Sequence, residues 1–150
     1  MAEPIDFPKD FSAQLNGMLG GWNTGMGLTW IKATTEECIG ELVVGPQHLQ
    51  PYGIVHGGVH CGIIEAACST GAAVVAGTRG QSIVGLENNT SFITAVRGGT
   101  LRVTATPVTR GRTTQVWQAV VTNDEGRICA TGRVRLLALA AGTDLAGAKV

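Results

Sequence analysis

Between Glu41 and Arg79 the chain carries one formally charged side chain, Glu65, near the middle of the run HGGVHCGIIEAACSTGAAVVAG. The run spans His56 to Gly77 and reads as a single apolar helix. An ionised carboxylate in such surroundings costs several kcal/mol unless something compensates it, which points to chemistry rather than packing. On a helical wheel its neighbours are Gly58, Cys61, Gly62, Cys68, Ser69 and Ala72, all small. Small residues let a backbone or a ligand approach closely. With a carboxylate at the centre, a ligand at a subunit interface is the favoured reading.

The start of the same helix is a second chemical feature. At His56-Gly57-Gly58 the first N–H groups have no intrahelical partner, and the helix dipole adds partial positive charge. Such an end can hold the oxyanion formed when a carbonyl is attacked. An oxyanion site plus a carboxylate suggests acyl transfer or hydrolysis. Gly57 and Glu65 lie eight residues apart, roughly 12 Å along the axis. Both must come within about 3 Å of one reacting group, so the two groups serving one substrate are expected to come from different subunits.

Other reactive side chains have plainer readings. His56 and His60 sit at i and i+4 and could join His48 or Glu65 on a metal, but the H-E-x-x-H order is absent. No metal and no cofactor is therefore expected. Cys38, Cys61, Cys68 and Cys129 form no CxxC pair. Cys61 and Cys68, two turns apart on one helix face, are roughly 10 Å distant and too far for a disulfide. Free thiols fit a reducing cytoplasm. Trp22, Trp30 and Trp117 read as core or interface.

The whole chain has 150 residues, 44% hydrophobic and 15% charged, with a formal net charge of +0. That length suits one domain, and the balanced charge gives no global attraction to nucleic acid or anionic membrane. The low charged fraction implies surface buried between subunits. The N-terminal MAEPIDFPKDF lacks a signal-peptide pattern, and no run was expected to reach the length of a membrane span. A cytoplasmic protein is the expectation.

The elements that must position Glu65 and Gly57 follow from periodicity. Pro8–Gly20 carries Phe11, Leu15, Met18 and Leu19 at helical spacing, giving an N-terminal helical segment within residues 1–25 that stops at Gly20-Gly21. Leu28–Ala33 and Cys38–Val44 read as a hairpin through Thr34–Glu37. After the long helix the period changes to two: strands over Ile83–Ile93, around Leu101–Thr106, Thr113–Thr122 and Ile128–Leu137. Arg110-Gly111-Arg112 and Asn123–Gly126 are turns, and residues 140–150 read as a flexible tail. The helix should pack on the sheet through Val59, Ile63, Ala66, Thr70 and Val74. The class is α+β, one long helix wrapped by a curved antiparallel sheet of about five to six strands.

Gly53-Ile54-Val55-His56-Gly57-Gly58 followed by Glu65, with Glu87–Phe92, Gly99-Thr100-Leu101, Arg110-Gly111-Arg112 and Gly126–Ala130, resembles the hotdog-fold acyl-CoA thioesterases. The resemblance is specifically to the branch that includes phenylacetate-pathway enzymes and the Arthrobacter-type 4-hydroxybenzoyl-CoA thioesterase. The resemblance implies dimers with shared active sites, often paired into tetramers. It implies Glu65 as nucleophile or general base, Gly57 as the oxyanion-hole N–H, and Gln50 as an amide near the thioester. It further implies His56 as a positioning residue and Ser69 as a hydroxyl placing the carboxylate or water. Relatives often carry F-L-R-P where this chain reads Phe92-Ile93-Thr94-Ala95, so a basic contact to CoA is missing there. Arg97, Arg110, Gly111, Arg112 and Thr113 are the candidates to replace it. CoA enters as part of the substrate, not as a cofactor. A hotdog hydratase or dehydratase, and a non-catalytic acyl-thioester binding protein, are the competing classes.

Overall fold

The long apolar run forms one helix despite its glycines because its ends are capped and its apolar side chains are buried in the core. In the computed structural model, which describes residues 7–18 and 20–150, α3 spans Gly57–Gly77. His56 is its N-cap, with extended backbone and a ring nitrogen, Nδ1, accepting from the Gly58 N–H at 2.8 Å. Thr78 Oγ1 donates to the Val75 carbonyl at the other end, and Gly80, at φ +64°, turns the chain back.

A six-stranded antiparallel sheet receives this helix. Its strands are β1 (Leu28–Ala33), β2 (Cys38–Val43), β3 (Gln81–Phe92), β4 (Thr100–Arg110), β5 (Thr114–Thr122) and β6 (Ile128–Ala140). Their order across the sheet is β1-β2-β4-β5-β6-β3. Period-two alternation appears as predicted: Leu101, Val103 and Ala105 of β4 point inward, as do Trp117, Ala119 and Val121 of β5 and Val134 and Leu136 of β6. Arg133 and Arg135 face out. The α+β class and the strand count therefore stand.

The helix face that meets the sheet agrees with the expected one in part. Val59 and Ile63 are buried as expected, and His60, Ile64, Ala67, Cys68, Gly71, Ala72 and Val75 are buried with them, whereas Ala66, Thr70 and Val74 are only half-buried. Along the second half of the helix closeness, not bulk, decides the face. A Cβ on Gly71 would stand within 2.4 Å of the Trp117 ring, so glycine lets α3 sit down on β5. Gln115, fully buried, donates to the Ala72 carbonyl at 3.2 Å and accepts from Trp117 Nε1 at 3.0 Å, leaving neither side-chain amide group unpaired.

The helix expected over Pro8–Gly20 is the shorter α1 (Ser12–Gly17), and a second short helix, α2 (Gly21–Met26), follows the stop expected at Gly20-Gly21. Gly20 and Gly21 take φ +106° and +70°, conformations outside any right-handed helix. Met18 ends up 70% exposed, so the apolar spacing beyond Leu15 serves no core; Leu19 and residues 1–6 of that segment lie outside the described residues. Asp10 Oδ1 accepts from Ala33 N, Phe11 N donates to the Ala33 carbonyl, and Asn16 exchanges two bonds with the Trp30 backbone. These contacts stitch the segment to the free edge of β1 and lay Phe11 and Leu15 against the core.

The tail also departs from expectation. Residues 140–150 close into a hairpin of β7 (Asp144–Leu145) and β8 (Ala148–Lys149), because Gly147 and Ala146 take the positive φ that a tight turn requires. One further expectation fails on length. α3 has 21 residues and a mean hydropathy of 1.5, enough by length and composition to cross a membrane. Here, however, 56% of that stretch is buried inside the protein, as the core helix of a sheet-wrapped domain must be.

Candidate active site

Glu65 is half-buried and enters none of the ion pairs among the described residues. Two neutral donors hold it instead. Ser69, one turn along the same helix face, donates its hydroxyl to Oε1 at 3.0 Å. Asn88 of β3 donates to Oε2 at 3.1 Å and also to the Cys61 carbonyl at 3.1 Å. Asn88 is itself fixed, since Thr90 Oγ1 donates to its Oδ1 at 2.6 Å.

A bulge in β3 makes this arrangement possible. The register with β6 shifts between Gly85 and Glu87, leaving Leu86 as the extra residue. Gly85 faces Glu65, with a hypothetical Cβ only 2.6 Å from Oε1. Asn88, three residues on, faces it too. In a regular strand, residues three apart point to opposite faces; the bulge restores them to one side. Sequence reading missed Asn88 for this reason, because the polar run Glu87-Asn88-Asn89-Thr90 gives no sign of where parity changes.

The small-residue face around Glu65 is partly covered by the chain itself. A Cβ on Gly62 would lie 2.3 Å from the Trp22 ring, so Trp22 of α2, 43% exposed, lies over the turn before Glu65. Cys68 and Ala72, expected on this face, are buried against the sheet. Trp30 and Trp117 are core, as expected.

Gly57 lies in a separate niche of about 300 Å³, lined by Gln50, Ile54, His60, Phe92 and Thr94, that does not include Glu65. In the first turn of α3, the Gly58 N–H is taken by the His56 ring and the Val59 N–H by the His56 carbonyl. Gly57, the first helical residue, has no such partner among the described hydrogen bonds, as expected at a helix start. His56 thus acts as the cap that leaves one donor free. Gln50 accepts from the Tyr52 N–H at 2.6 Å through Oε1.

The loop that carries Gln50 to Gly57 is tightly held. His48 Nδ1 accepts from Gly45 N, so Nε2 carries the proton and donates to the Met26 carbonyl, both at 2.8 Å. Arg97 Nη1 donates to the carbonyls of Tyr52 and Gly53. These bonds occupy His48 and Arg97 in structure. His60 is buried with Nδ1 unpaired, and burial pushes its pKa down. No cluster of metal-ligating side chains occurs among the described residues.

The basic candidates do not converge within one chain. Arg97 sits at the N-terminal end of α3, whereas Arg79, just past its C-terminal end, donates to the Arg110 and Gly111 carbonyls. The helix between is roughly 30 Å long. Arg110 donates to the Thr35 carbonyl and pairs with Glu36. Arg112 and Thr113 are exposed beside it. Among the cysteines, all free, burial above all pushes the Cys38 thiol up to about 12 and raises Cys68 further, so neither is a nucleophile.

Residues 52–130 match the thioesterase superfamily. A Mycobacterium tuberculosis protein, Rv1847, is 38% identical over 113 residues, covering 74% of this chain and 81% of the relative. Its solved structure superposes with a TM-score of 0.78 over 79% of this chain and 96% of that one. The Haemophilus influenzae thioesterase HI1161 superposes at 0.80 with 25% identity, covering 93% and 96%. The proofreading thioesterase EntH of Cronobacter sakazakii is 35% identical over 85 residues, 57% of this chain and 61% of its own. This chain belongs to the thioesterase superfamily, and its architecture is the hotdog fold. Membership supports thioester hydrolysis as the general class of chemistry.

Proposed function

We propose that this protein is an acyl-CoA thioesterase, hydrolysing an acyl- or aroyl-CoA to the free acid and CoA, on the branch that its motifs resemble. One observation carries the reading: a half-buried carboxylate held by two neutral donors and in no ion pair among the described residues. A carboxylate so held presents its oxygens to the reacting carbon or to a water molecule. Ser69 and Asn88 are then positioning residues. The thioester oxygen is received by the free Gly57 N–H, with Gln50 beside the thioester and His56 holding the helix start.

Glu65 and Gly57 serve one substrate only across a subunit boundary. The outer edge of β3 supports this, being twelve residues long and outermost in the sheet, with Leu86, Phe92 and Ile93 exposed near it. Such an edge is a ready template for a second strand. A two-fold axis crossing β3 between Asn88 and Phe92 brings the Gly57 end of one copy toward Glu65 of the other. A dimer with two shared sites follows, able to pair again into a tetramer. Arg112 and Thr113 are exposed and available to CoA phosphate, with Arg110 and Gly111 shaping the turn and Arg97 fixed nearer the thioester. Four free cysteines fit a cytoplasmic setting.

The test is thiol release from an acyl-CoA panel by the purified protein and by Glu65→Gln. The wild type should release CoA, and the variant should lose turnover by at least a hundredfold while still binding substrate. Near-normal turnover by the variant overturns the role of Glu65. Binding without turnover by the wild type favours a binding protein, and formation of a hydrated product favours a hydratase.

A further inference from the structure

Beside Glu65 lies a cavity of about 390 Å³ that none of the motif residues except Ser69 touches. It runs along α3 from Ser69 to Gly77, roughly 12 Å, and its walls include Phe7, Phe11, Leu15, Val74 and Ile83. Among the described residues no charged side chain lines it. Its hydroxyl-bearing residues, Ser69 and Thr70, are both at the end nearest Glu65. Resting on the reading of Glu65 as the hydrolytic carboxylate, we infer that this cavity receives the acyl group and that the N-terminal segment sets its size.

Position, chemistry and volume agree on the occupant. Ser69 links the cavity to the reacting centre through its 3.0 Å bond to Glu65, so a substrate whose carbonyl meets Glu65 has its acyl tail at the cavity mouth. The apolar walls favour an uncharged hydrocarbon, since a buried charge there would find no partner. A cavity of ~150 Å³ already admits benzene. The volume here therefore takes a single ring or a medium-length chain and is left largely empty by acetyl.

Phe7, Phe11 and Leu15 lie outside residues 52–130, the stretch that matches the superfamily. They are nonetheless held firmly, through the bonds of Asp10, Phe11 and Asn16 to β1. Selectivity for the acyl group is thus supplied by a segment that the superfamily match does not include.

The experiment is a kcat/KM profile over acetyl-, butyryl-, hexanoyl-, octanoyl-, palmitoyl- and benzoyl-CoA, read by thiol release. The wild type should gain about fourfold per added methylene up to the medium chains, with benzoyl-CoA also accepted. Ala73 is exposed and lines the cavity, so Ala73→Phe fills it without disturbing the core. That variant should lose at least tenfold on octanoyl-CoA and keep its activity on acetyl-CoA. Phe11→Ala should move the optimum to longer chains. Active wild type with both variants changing all substrates equally, or none, overturns the cavity assignment alone. A wild type inert on the whole panel overturns the hydrolase reading and this assignment with it.

Discussion

Asn88 donates one amide group to both Glu65 Oε2 and the Cys61 carbonyl, each at 3.1 Å. The contact ties the edge strand β3 to the central helix at the carboxylate itself. Losing a hydrogen bond to a charged group costs about 1.5–3 kcal/mol, which corresponds to roughly 10- to 150-fold. Asn88→Ala should therefore lower kcat by one to two orders of magnitude. KM should change by less than threefold, since the amide orients the carboxylate rather than the substrate. Steady-state kinetics on one acyl-CoA decides it, and an unchanged kcat would remove Asn88 from the site.

Gly85 makes the complementary prediction. Its absent Cβ is what allows Glu65 Oε1 to reach its place, 2.6 Å from where that carbon would stand. Glu65 is a side-chain end and can swing away, so Gly85→Ala should cost little stability. Glycine in a strand interior is otherwise unfavourable by roughly 0.5–1 kcal/mol, which offsets part of any strain. The expected outcome is a melting temperature within a few degrees of wild type and a kcat at least tenfold lower. A parallel fall in both would make Gly85 a packing residue.

What the sequence revealed and what it withheld divide along a physical line. The contact of Ser69 with Glu65 and the free N–H at Gly57 are legible because one helix places residues three and four apart on the same face, and its first N–H groups are free by construction. The strands from Leu101 to Leu137 were legible through their alternation. Asn88 was not, because the bulge at Leu86 reverses the parity of β3 and no residue type announces it. The sheet-facing side of α3 is legible only in part: Val59 and Ile63 are buried as their bulk suggests, while further along the close approach of Trp117 selects Gly71 over Val74. The stop at Gly20-Gly21 is legible from the glycines, which take positive φ; the short helix α2 that follows it is not, because Gly21–Met26 carries little apolar periodicity.

Stability should fall at both ends of the pH range. Burial depresses the His60 pKa below its ordinary 6.5, so the unfolded state binds more protons below that value and stability drops as pH falls past it. Burial raises Cys38 from 9.0 to about 12 and raises Cys68 as well. Above pH 9 the unfolded thiols ionise while the folded ones stay protonated, so stability also drops there. Urea midpoints measured from pH 5 to pH 10.5 should give a plateau near pH 7–9. Cys38→Ala should flatten the alkaline limb relative to the wild type, whatever its absolute stability; an unchanged limb would exclude Cys38 as its source.

Sharing of the site between subunits makes the most specific prediction. Proline is well accepted at the first position of a helix; at Gly57 its Cβ would stand 2.8 Å from the end of the Phe92 ring, which must shift to admit it, so Gly57→Pro deletes the proposed oxyanion donor while keeping α3. Gly57→Pro and Glu65→Gln should each be inactive alone. In a hybrid dimer one site carries both changes and the other carries neither. Random reassortment of equal amounts leaves half the dimers hybrid, so roughly a quarter of the sites become intact. Refolding the two variants together should restore about that fraction of wild-type turnover, with hybrid formation checked by differently tagged chains. Confirmed hybrids without recovered activity would mean that Gly57 and Glu65 do not act on one substrate across the interface.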